Sequence, residues 1–247
     1  MSIILYGNVI DRRRVKVLLF ANRKYLIRTV IMVPVYPPPW HLYGDGYILL
    51  YNFSNKFVCE ECFCPENLSD NLFQGLGCVM LVNYVRSTAG PYRELLFIPG
   101  KFNYQDQKLY SITKIFVSTM TSVENGRRNW GIPKELAEFT TVRLDTHRER
   151  IVVHRDGEMV FETVLKTRGF PFPVRTRYYP FPLVQEYNNK TFYTEFSGQG
   201  KGRLSVVEDM QVNPKYFPDI ASVKPLAVVH VDDFSISFPV PQIKTEE

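Results

Sequence analysis

Short runs of β-branched and aromatic residues, repeatedly broken by proline and glycine, constrain the fold of this chain most strongly. Such runs are typical of strands, and few segments have a helical period. The sequence therefore predicts a mostly β fold, a closed antiparallel sheet with few short helices. We predict strands at residues 47–53, 78–85, 92–98, 112–120, 140–144, 150–154, 158–165, 184–187, 192–196, 204–207 and 227–238.

Two glycine-containing segments predict turns. Asp156-Gly157 lies between two alternating runs, and this pair readily adopts the positive φ angles of a tight hairpin. The segment GQGKG at residues 198–202 lies between strands and does not open a helix. We therefore interpret it as a flexible hairpin and not as a phosphate-binding loop.

Prolines divide the chain near its N-terminus. The segment PVYPPPW at residues 34–40 is extended by its prolines. It predicts a boundary between a basic N-terminal arm or extra strands, residues 1–33, and one barrel domain, residues 34–247. Hydrophobic residues make up 45% of the 247 residues and aromatic residues 14%, which is ample material for one core.

The net charge of +5 is concentrated in the arm. Residues 1–36 contain seven basic residues and one acid, a net +6, which leaves −1 for the remainder. A nucleic-acid partner is therefore not expected, because the body lacks a basic face. The apolar runs of the arm are too short and interrupted for stable membrane insertion. A mitochondrial presequence or a membrane-surface role for residues 12–28 are weaker alternatives.

The cysteines and histidines do not predict a metal site. Three of the four cysteines lie in CEECFC at residues 59–64, and no second ligand pair follows at a suitable spacing. Reduced thiols in a cytoplasmic protein are the favoured interpretation. The four histidines are scattered, so they indicate neither a metal cage nor a catalytic triad.

One lysine lies in an unusually apolar setting. In GRRNWGIPKELAEF, residues 126–139, Lys134 has Trp130, Ile132 and Leu136 as near neighbours. Burial disfavours the charge on an amine and can free it to attack a carbonyl carbon. Alternatively, Pro133 opens a short helix and Lys134 is a solvated residue of its first turn. The local pattern leaves both interpretations open.

Three segments in order resemble the acetoacetate decarboxylase family. They are PPPWHLYGDGYILLY at residues 37–51, GPYRELLFIP at 90–99 and the segment around Lys134. The hairpin at Asp156-Gly157 and the closing stretch 217–241 follow in the order of the family. The chain is thus similar to a divergent member over residues 34–241.

This resemblance implies a cone-like β-barrel with the lysine inside, assembled as a homo-oligomer. It also implies a Schiff-base lyase in which Lys134 forms an iminium ion with a β-keto acid or related carbonyl compound. Glu94 would orient the substrate or transfer a proton. The remaining expected substrate-binding residues are Tyr92, Trp130, Ile132, Asp45, Glu135 and Arg127. No metal or organic cofactor is implied.

Four departures argue against acetoacetate itself as substrate. Glu135 replaces a second lysine, and Arg128 replaces the glutamate of the family's GRE triplet. By ungapped spacing, Asp45 occupies the position of an arginine near the substrate carboxylate, and Val79 that of a second carboxylate. A larger carbonyl substrate is therefore expected. Aldol condensation with dehydration through the same lysine, and a non-catalytic small-molecule-binding barrel, remain the alternatives.

Overall fold

The computed structural model describes residues 16–22, 25–31, 33–65, 68, 72–73 and 75–245. The chain divides into two compact units, Met1–Val35 and Tyr36–Glu247. In the first unit, β1 (Lys16–Asn22) and β2 (Tyr25–Ile31) form an antiparallel hairpin. Residues 1–15 of the predicted basic arm lie outside the described residues. The predicted domain boundary after residue 33 stays a prediction.

The second unit is built mostly from strands. Its helices include α1 (Asn55–Glu61) and α2 (Met120–Trp130), with short 3-10 turns at Thr176–Tyr178 and Ile220–Ser222. Its described strands are β3 (Trp40–Tyr51), β4 (Leu72–Phe73), β5 (Gly77–Ser87), β6 (Tyr92–Ile98), β7 (Lys101–Tyr104), β8 (Gln107–Tyr110), β9 (Lys114–Val117), β10 (Glu135–Leu136), β11 (Glu138–Arg143), β12 (Arg148–Arg155), β13 (Glu158–Thr167), β14 (Phe172–Arg175), β15 (Pro182–Glu186), β16 (Lys190–Glu195), β17 (Ser197–Val212), β18 (Ala227–Phe238) and β19 (Gln242–Thr245).

A nearly closed, barrel-shaped sheet dominates this unit and confirms the predicted fold class. Its strand order is β10-β9-β6-β5-β3-β18-β17-β13-β12-β11, and β14 pairs with β17 beside this path. The neighbours are antiparallel except β9 and β10. A smaller sheet has the order β19-β16-β15-β8-β7-β4. No helix among the described residues is long and apolar enough to cross a membrane.

The central strands are buried on both faces. Because successive side chains of a strand point to opposite faces, β6 contributes to two separate apolar clusters. Leu95 and Phe97 pack in one cluster, whereas Tyr92, Leu96 and Ile98 pack in the other. The second cluster surrounds the cavity described below, so residue parity decides which side chains of β3, β5 and β6 reach it.

The predicted Asp156-Gly157 hairpin is confirmed, but the predicted hairpin at residues 198–202 is wrong. Asp156 and Gly157 have φ angles of 52° and 82° between β12 and β13. Residues 198–202 instead lie within β17, a strand of 16 residues. A Cβ atom at Gly202 would lie 2.6 Å from Val174, and one at Gly200 would lie 2.6 Å from Val231. These glycines therefore allow close packing and do not form a turn.

The helix α2 is an element that the sequence did not predict. The predicted strand at residues 112–120 is β9, which ends at Val117, and Thr119 then caps the helix. The buried residues of α2 include Ser122, Asn125 and Asn129, so its inward face lacks the apolar period that identifies a helix.

Candidate active site

The end of α2 directs Lys134 into the barrel. Gly131 ends the helix with a φ angle of 67°, and its N–H donates to the Arg127 carbonyl oxygen at 3.0 Å. A left-handed residue is a common helix terminator and is least costly at glycine. The chain then continues without helical structure through Pro133, and Lys134 is only 4% exposed. The alternative of a solvated lysine at the start of a helix is therefore wrong.

The Lys134 amine is held by three side chains. Its Nζ atom donates to Glu94 Oε2 at 2.9 Å, to Ser122 Oγ at 3.1 Å and to the Tyr92 hydroxyl at 3.4 Å. Glu94 is also 4% exposed, so the two charged groups form a buried pair. A buried pair needs these additional hydrogen bonds, because burial removes both charges from water.

Gly126 explains why the lysine can pack so closely against α2. A Cβ atom at this position would lie 2.6 Å from Lys134 Cδ and 2.9 Å from Lys134 Cε. The helix therefore presents a surface without a side chain to the aliphatic stem of Lys134. Gly126 is part of the GRR triplet, but its contact with Lys134 could be recognised only in the structure.

Two tyrosines complete the polar cluster. The Tyr84 hydroxyl donates to Glu94 Oε1 at 3.2 Å, opposite the oxygen that binds Lys134. Burial, together with the Glu94 charge, raises the pKa of Tyr84 and Tyr92 well above the ordinary value. Both hydroxyls therefore stay protonated and can donate hydrogen bonds. Tyr84 and Ser122 belong to no recognisable motif, so the sequence did not predict them as site residues.

This cluster borders a cavity of about 480 Å³ whose other lining residues are largely apolar. Of the expected site residues, Lys134, Glu94, Tyr92, Trp130 and Ile132 line it. Aliphatic and aromatic side chains from several strands form most of the remaining wall, including Leu42, Ile48, Leu50, Met80, Val82, Leu96, Ile115, Leu183, Val229, Phe234 and Phe238. The cavity can thus accept a much larger apolar group than a methyl group.

The structure does not place Asp45, Glu135 or Arg127 among the residues that line this cavity. The Glu135 carboxylate pairs with Lys114 at 2.6 Å and with Arg155. Its charge is therefore compensated outside the cavity, and it makes no described contact with the Lys134 amine. Arg127 lies half-buried in the last turn of α2. These three residues have no described contact that supports substrate binding.

Asp45 lies in a small cleft that also has Asn83 and Glu149 in its wall, and Glu94 lines both this cleft and the large cavity. Its Oδ2 atom accepts a hydrogen bond from Asn83 Nδ2 at 3.1 Å. Most residues of β3 that line the large cavity are even-numbered, such as Ile48, and Asp45 has the opposite parity. Its carboxylate is therefore not among the groups that line the cavity beside Lys134.

The cysteines of the described chain are unpaired thiols. Cys59 is exposed, whereas Cys62 and Cys78 are buried. Burial raises the pKa of Cys64 and Cys78 to about 12. Thiolates are the reactive and metal-binding form, so these two thiols are unreactive at neutral pH. Within the described residues, no cluster of three or more His, Cys, Asp or Glu side chains could hold a metal ion.

Comparison with known proteins relates this geometry to one family. The sequence model of the family described as acetoacetate decarboxylase matches residues 58–192. No match was found among curated protein sequences.

Solved structures show the same fold. An acetoacetate decarboxylase from Legionella pneumophila has a TM-score of 0.67 at 12% identity, with 98% of each chain covered. The enduracididine biosynthesis enzyme MppR with bound HEPES has a TM-score of 0.63 at 14% identity, covering 85% of this chain and 88% of its own. An acetoacetate decarboxylase-like enzyme from Sphingomonas wittichii has a TM-score of 0.60 at 12% identity, with 87% and 96% covered.

Proposed function

Because this chain belongs to the acetoacetate decarboxylase family, we propose that it is a lyase in which Lys134 forms a Schiff base with a β-keto acid. The observation that carries the proposal is the buried Lys134 amine, 2.9 Å from Glu94 Oε2 at the wall of a large apolar cavity. Few structural roles require a lysine and a glutamate to be buried together beside a cavity of this size.

The pair can supply both the nucleophile and an acid. Transfer of one proton from the Lys134 ammonium to Glu94 leaves a neutral amine beside a neutral carboxylic acid. Only the neutral form of the amine has the lone pair that attacks a carbonyl carbon. The amine nitrogen then bonds to the substrate carbonyl carbon, and the carbonyl oxygen leaves as water after protonation. The product of these steps is an iminium ion on Lys134.

Decarboxylation follows from the charge of that iminium ion. The bond between the carboxylate carbon and the adjacent carbon breaks, and its electron pair forms the double bond of an enamine as the iminium nitrogen becomes neutral. The substrate carboxylate and the iminium charge disappear together, so the apolar wall favours the products of this step. Glu94, which has given its first proton to the departing water, takes up another from solvent and donates it to the enamine carbon, and water releases the ketone. One proton is consumed for each carbon dioxide released.

The tyrosines and Ser122 position these groups. Tyr84 donates to the Glu94 oxygen that does not contact Lys134, so it holds the carboxyl group in one orientation. Tyr92 and Ser122 contact the Lys134 nitrogen from other sides. Because the Tyr92 hydroxyl also stays protonated, it can donate to the carbonyl oxygen while that oxygen is converted to water.

Reduction of the Schiff base with sodium borohydride tests the proposal. The protein is incubated with β-keto acids of increasing size, reduced, digested and examined by peptide mass analysis. We expect a reduced adduct on Lys134 and release of carbon dioxide, both abolished by Lys134→Ala. As a matched control, Lys114→Ala removes a partly buried lysine outside the cavity and should keep the adduct. An adduct that persists in Lys134→Ala would refute the proposal.

Condensation through the same iminium is a second candidate reaction. Besides Lys134, the only cation among the described cavity-lining residues is Arg175. No further cation is therefore described next to the Lys134 amine that could bind the carboxylate of a β-keto acid there. The neighbour MppR has been solved with the condensation product of pyruvate and an imidazole carboxaldehyde. Measured carbon dioxide release separates the two reactions, since condensation followed by loss of water releases none.

A further inference from the structure

A polar groove adjoins the apolar cavity. It has a volume of about 360 Å³ and shares Arg175, Thr176, Gly198, Gln199 and Ile236 with the cavity wall. The two spaces therefore meet where β14 ends and β17 begins, and Arg175 contributes to both. The two spaces differ in character, since the groove walls are rich in hydroxyl and guanidinium groups.

The groove is positively charged. Arg175 and Arg177 line it, and none of its described lining residues is an aspartate or glutamate. Arg86 adds a third guanidinium nearby, 4.2 Å above the ring of the groove residue Tyr43. No described ion pair involves Arg175 or Arg177. Their charges are therefore available to an anionic group of a ligand.

Hydrogen bonds hold the groove in shape. The Gly198 N–H donates to Thr176 Oγ1 at 2.9 Å, which ties the segment after β14 to the beginning of β17. The Arg177 guanidinium donates to the Tyr178 hydroxyl at 2.8 Å. This hydrogen bond, together with the charge of Arg175, lowers the pKa of Tyr178. The arginines thus create a positive potential at the position where a ligand anion would bind.

Strand pairing relates the position of Arg175 to that of Glu94. Residues that pair across neighbouring strands form one row, which runs from Glu94 through Val82, Gly46, Val231 and Gly202 to Phe172 on β14.

Arg175 lies three residues beyond Phe172 along β14, which is about 10 Å at the rise of an extended strand. A group bound by Arg175 is therefore offset along the barrel wall from the row that contains Glu94 by about this distance. The carboxylate of a β-keto acid is attached two bonds from the carbonyl carbon, and it cannot occupy both positions.

We propose that the substrate carries a second anionic group, at the far end of an apolar body, and that Arg175 and Arg177 bind this group in the groove. The inference rests on the proposed function and names its substrate class, which is an amphipathic β-keto acid with a distal anion such as a carboxylate. Arg175 and Arg177 determine specificity, whereas Lys134 and Glu94 carry out the reaction.

A product analogue tests the inference without turnover. The probe is a methyl-ketone fatty acid, whose ketone and carboxylate lie at opposite ends of a saturated chain, and its methyl ester is the uncharged comparison. Calorimetry measures the affinity of each for the wild-type protein and for Arg175→Gln, Arg177→Gln and the double variant. Arg168→Gln removes an exposed arginine outside both spaces and is the matched control.

We expect the acid to bind the wild type about tenfold more tightly than the ester, since one or two charge-assisted hydrogen bonds contribute this much. The double variant should lose this preference and keep its affinity for the ester, and Arg168→Gln should keep the preference. Equal affinity for acid and ester in the wild type, or a preference that survives in the double variant, would overturn the inference.

Borohydride reduction of the same samples separates the two proposals. Preferred binding of the acid without an adduct on Lys134 would support the groove and contradict the Schiff-base reaction. An adduct formed equally from acid and ester would support the reaction and contradict the groove.

Discussion

Glu94 is the residue on which the proposed proton transfers depend. Glu94→Gln keeps the size of the side chain but removes the acid, so we expect kcat to fall by about 10²–10⁴-fold, as for other general acids. Steady-state kinetics with a β-keto acid measures this effect.

Glu135→Gln is the matched control for this prediction. Glu135 follows Lys134 directly in the chain, but its carboxylate pairs with Lys114 and Arg155. We expect its variant to retain near-normal kcat. Full activity in Glu94→Gln would contradict the proton-transfer role.

Gly126 determines whether the Lys134 side chain can keep its position. Gly126→Ala places a Cβ atom 2.6 Å from Lys134 Cδ, and the flexible lysine stem is the group that must move. Because a misplacement of about 1 Å can cost 10²-fold in rate, we expect kcat/KM to fall by about 10²-fold. Alanine also favours the helix by about 1 kcal/mol relative to glycine, which offsets the cost of displacing the lysine stem, so Tm should change little.

Arg128→Ala tests whether a change in α2 alone lowers activity. Arg128 is an exposed residue of the same helix and does not line the cavity. Its variant should retain activity. If Gly126→Ala is as active as the wild type, the contact between α2 and the lysine stem does not position the amine.

At the scale of elements, β3 and β12 contribute two carboxylates to one small cleft. Burial, and then the charge of Asp45, raises the pKa of Glu149, while a hydrogen bond from Tyr47 and the charges of Arg143 and Arg93 act in the opposite direction. The folded protein therefore binds this proton more tightly than the unfolded chain. The ionised side chain consequently lowers the free energy of unfolding at neutral pH.

Glu149→Gln should therefore raise Tm at pH 7, where each change of about 1 kcal/mol in the free energy of unfolding shifts Tm by about 2–4 °C for a chain of this length. The increase in Tm should disappear as the pH falls below 4.5, the ordinary pKa of glutamate, since the carboxyl group is then protonated in both the folded and the unfolded protein. Thermal unfolding between pH 4 and pH 8 measures the trend. Glu138→Gln, on the exposed side of β11, should show no such trend. A gain that is constant across this range would exclude ionisation as its cause.

At the scale of the whole molecule, the apolar cavity predicts a preference for larger substrates. Each methylene group removed from water contributes about 0.8 kcal/mol, so kcat/KM should rise about fourfold for each carbon added to a β-keto acid until the cavity is filled. A series of β-keto acids from acetoacetate upward, measured at constant pH and ionic strength, checks this trend. A rate that is highest for acetoacetate would contradict the preference.

The sequence by itself determined the features that depend on local pattern. Alternating runs predicted most of the strands, Asp156-Gly157 predicted its hairpin, and three ordered motifs indicated the family and the pair Lys134 and Glu94 as the proposed reacting groups. The strands and the hairpin follow from residue period and turn chemistry, which neighbouring residues express within one segment. The pair Lys134 and Glu94 follows instead from the resemblance of the motifs to the family. The same local rules missed α2, because its buried face is polar.

The tertiary structure alone decided which side chains meet. Ser122 and Tyr92 contact Lys134 across 12 and 42 residues of sequence, and both contacts depend on how α2 and β6 pack. Glu135 and Asp45 are near in sequence to site residues, yet they point away from the cavity. A shift of one residue along a strand reverses its face, so side-chain direction follows from long-range pairing and not from spacing in the sequence.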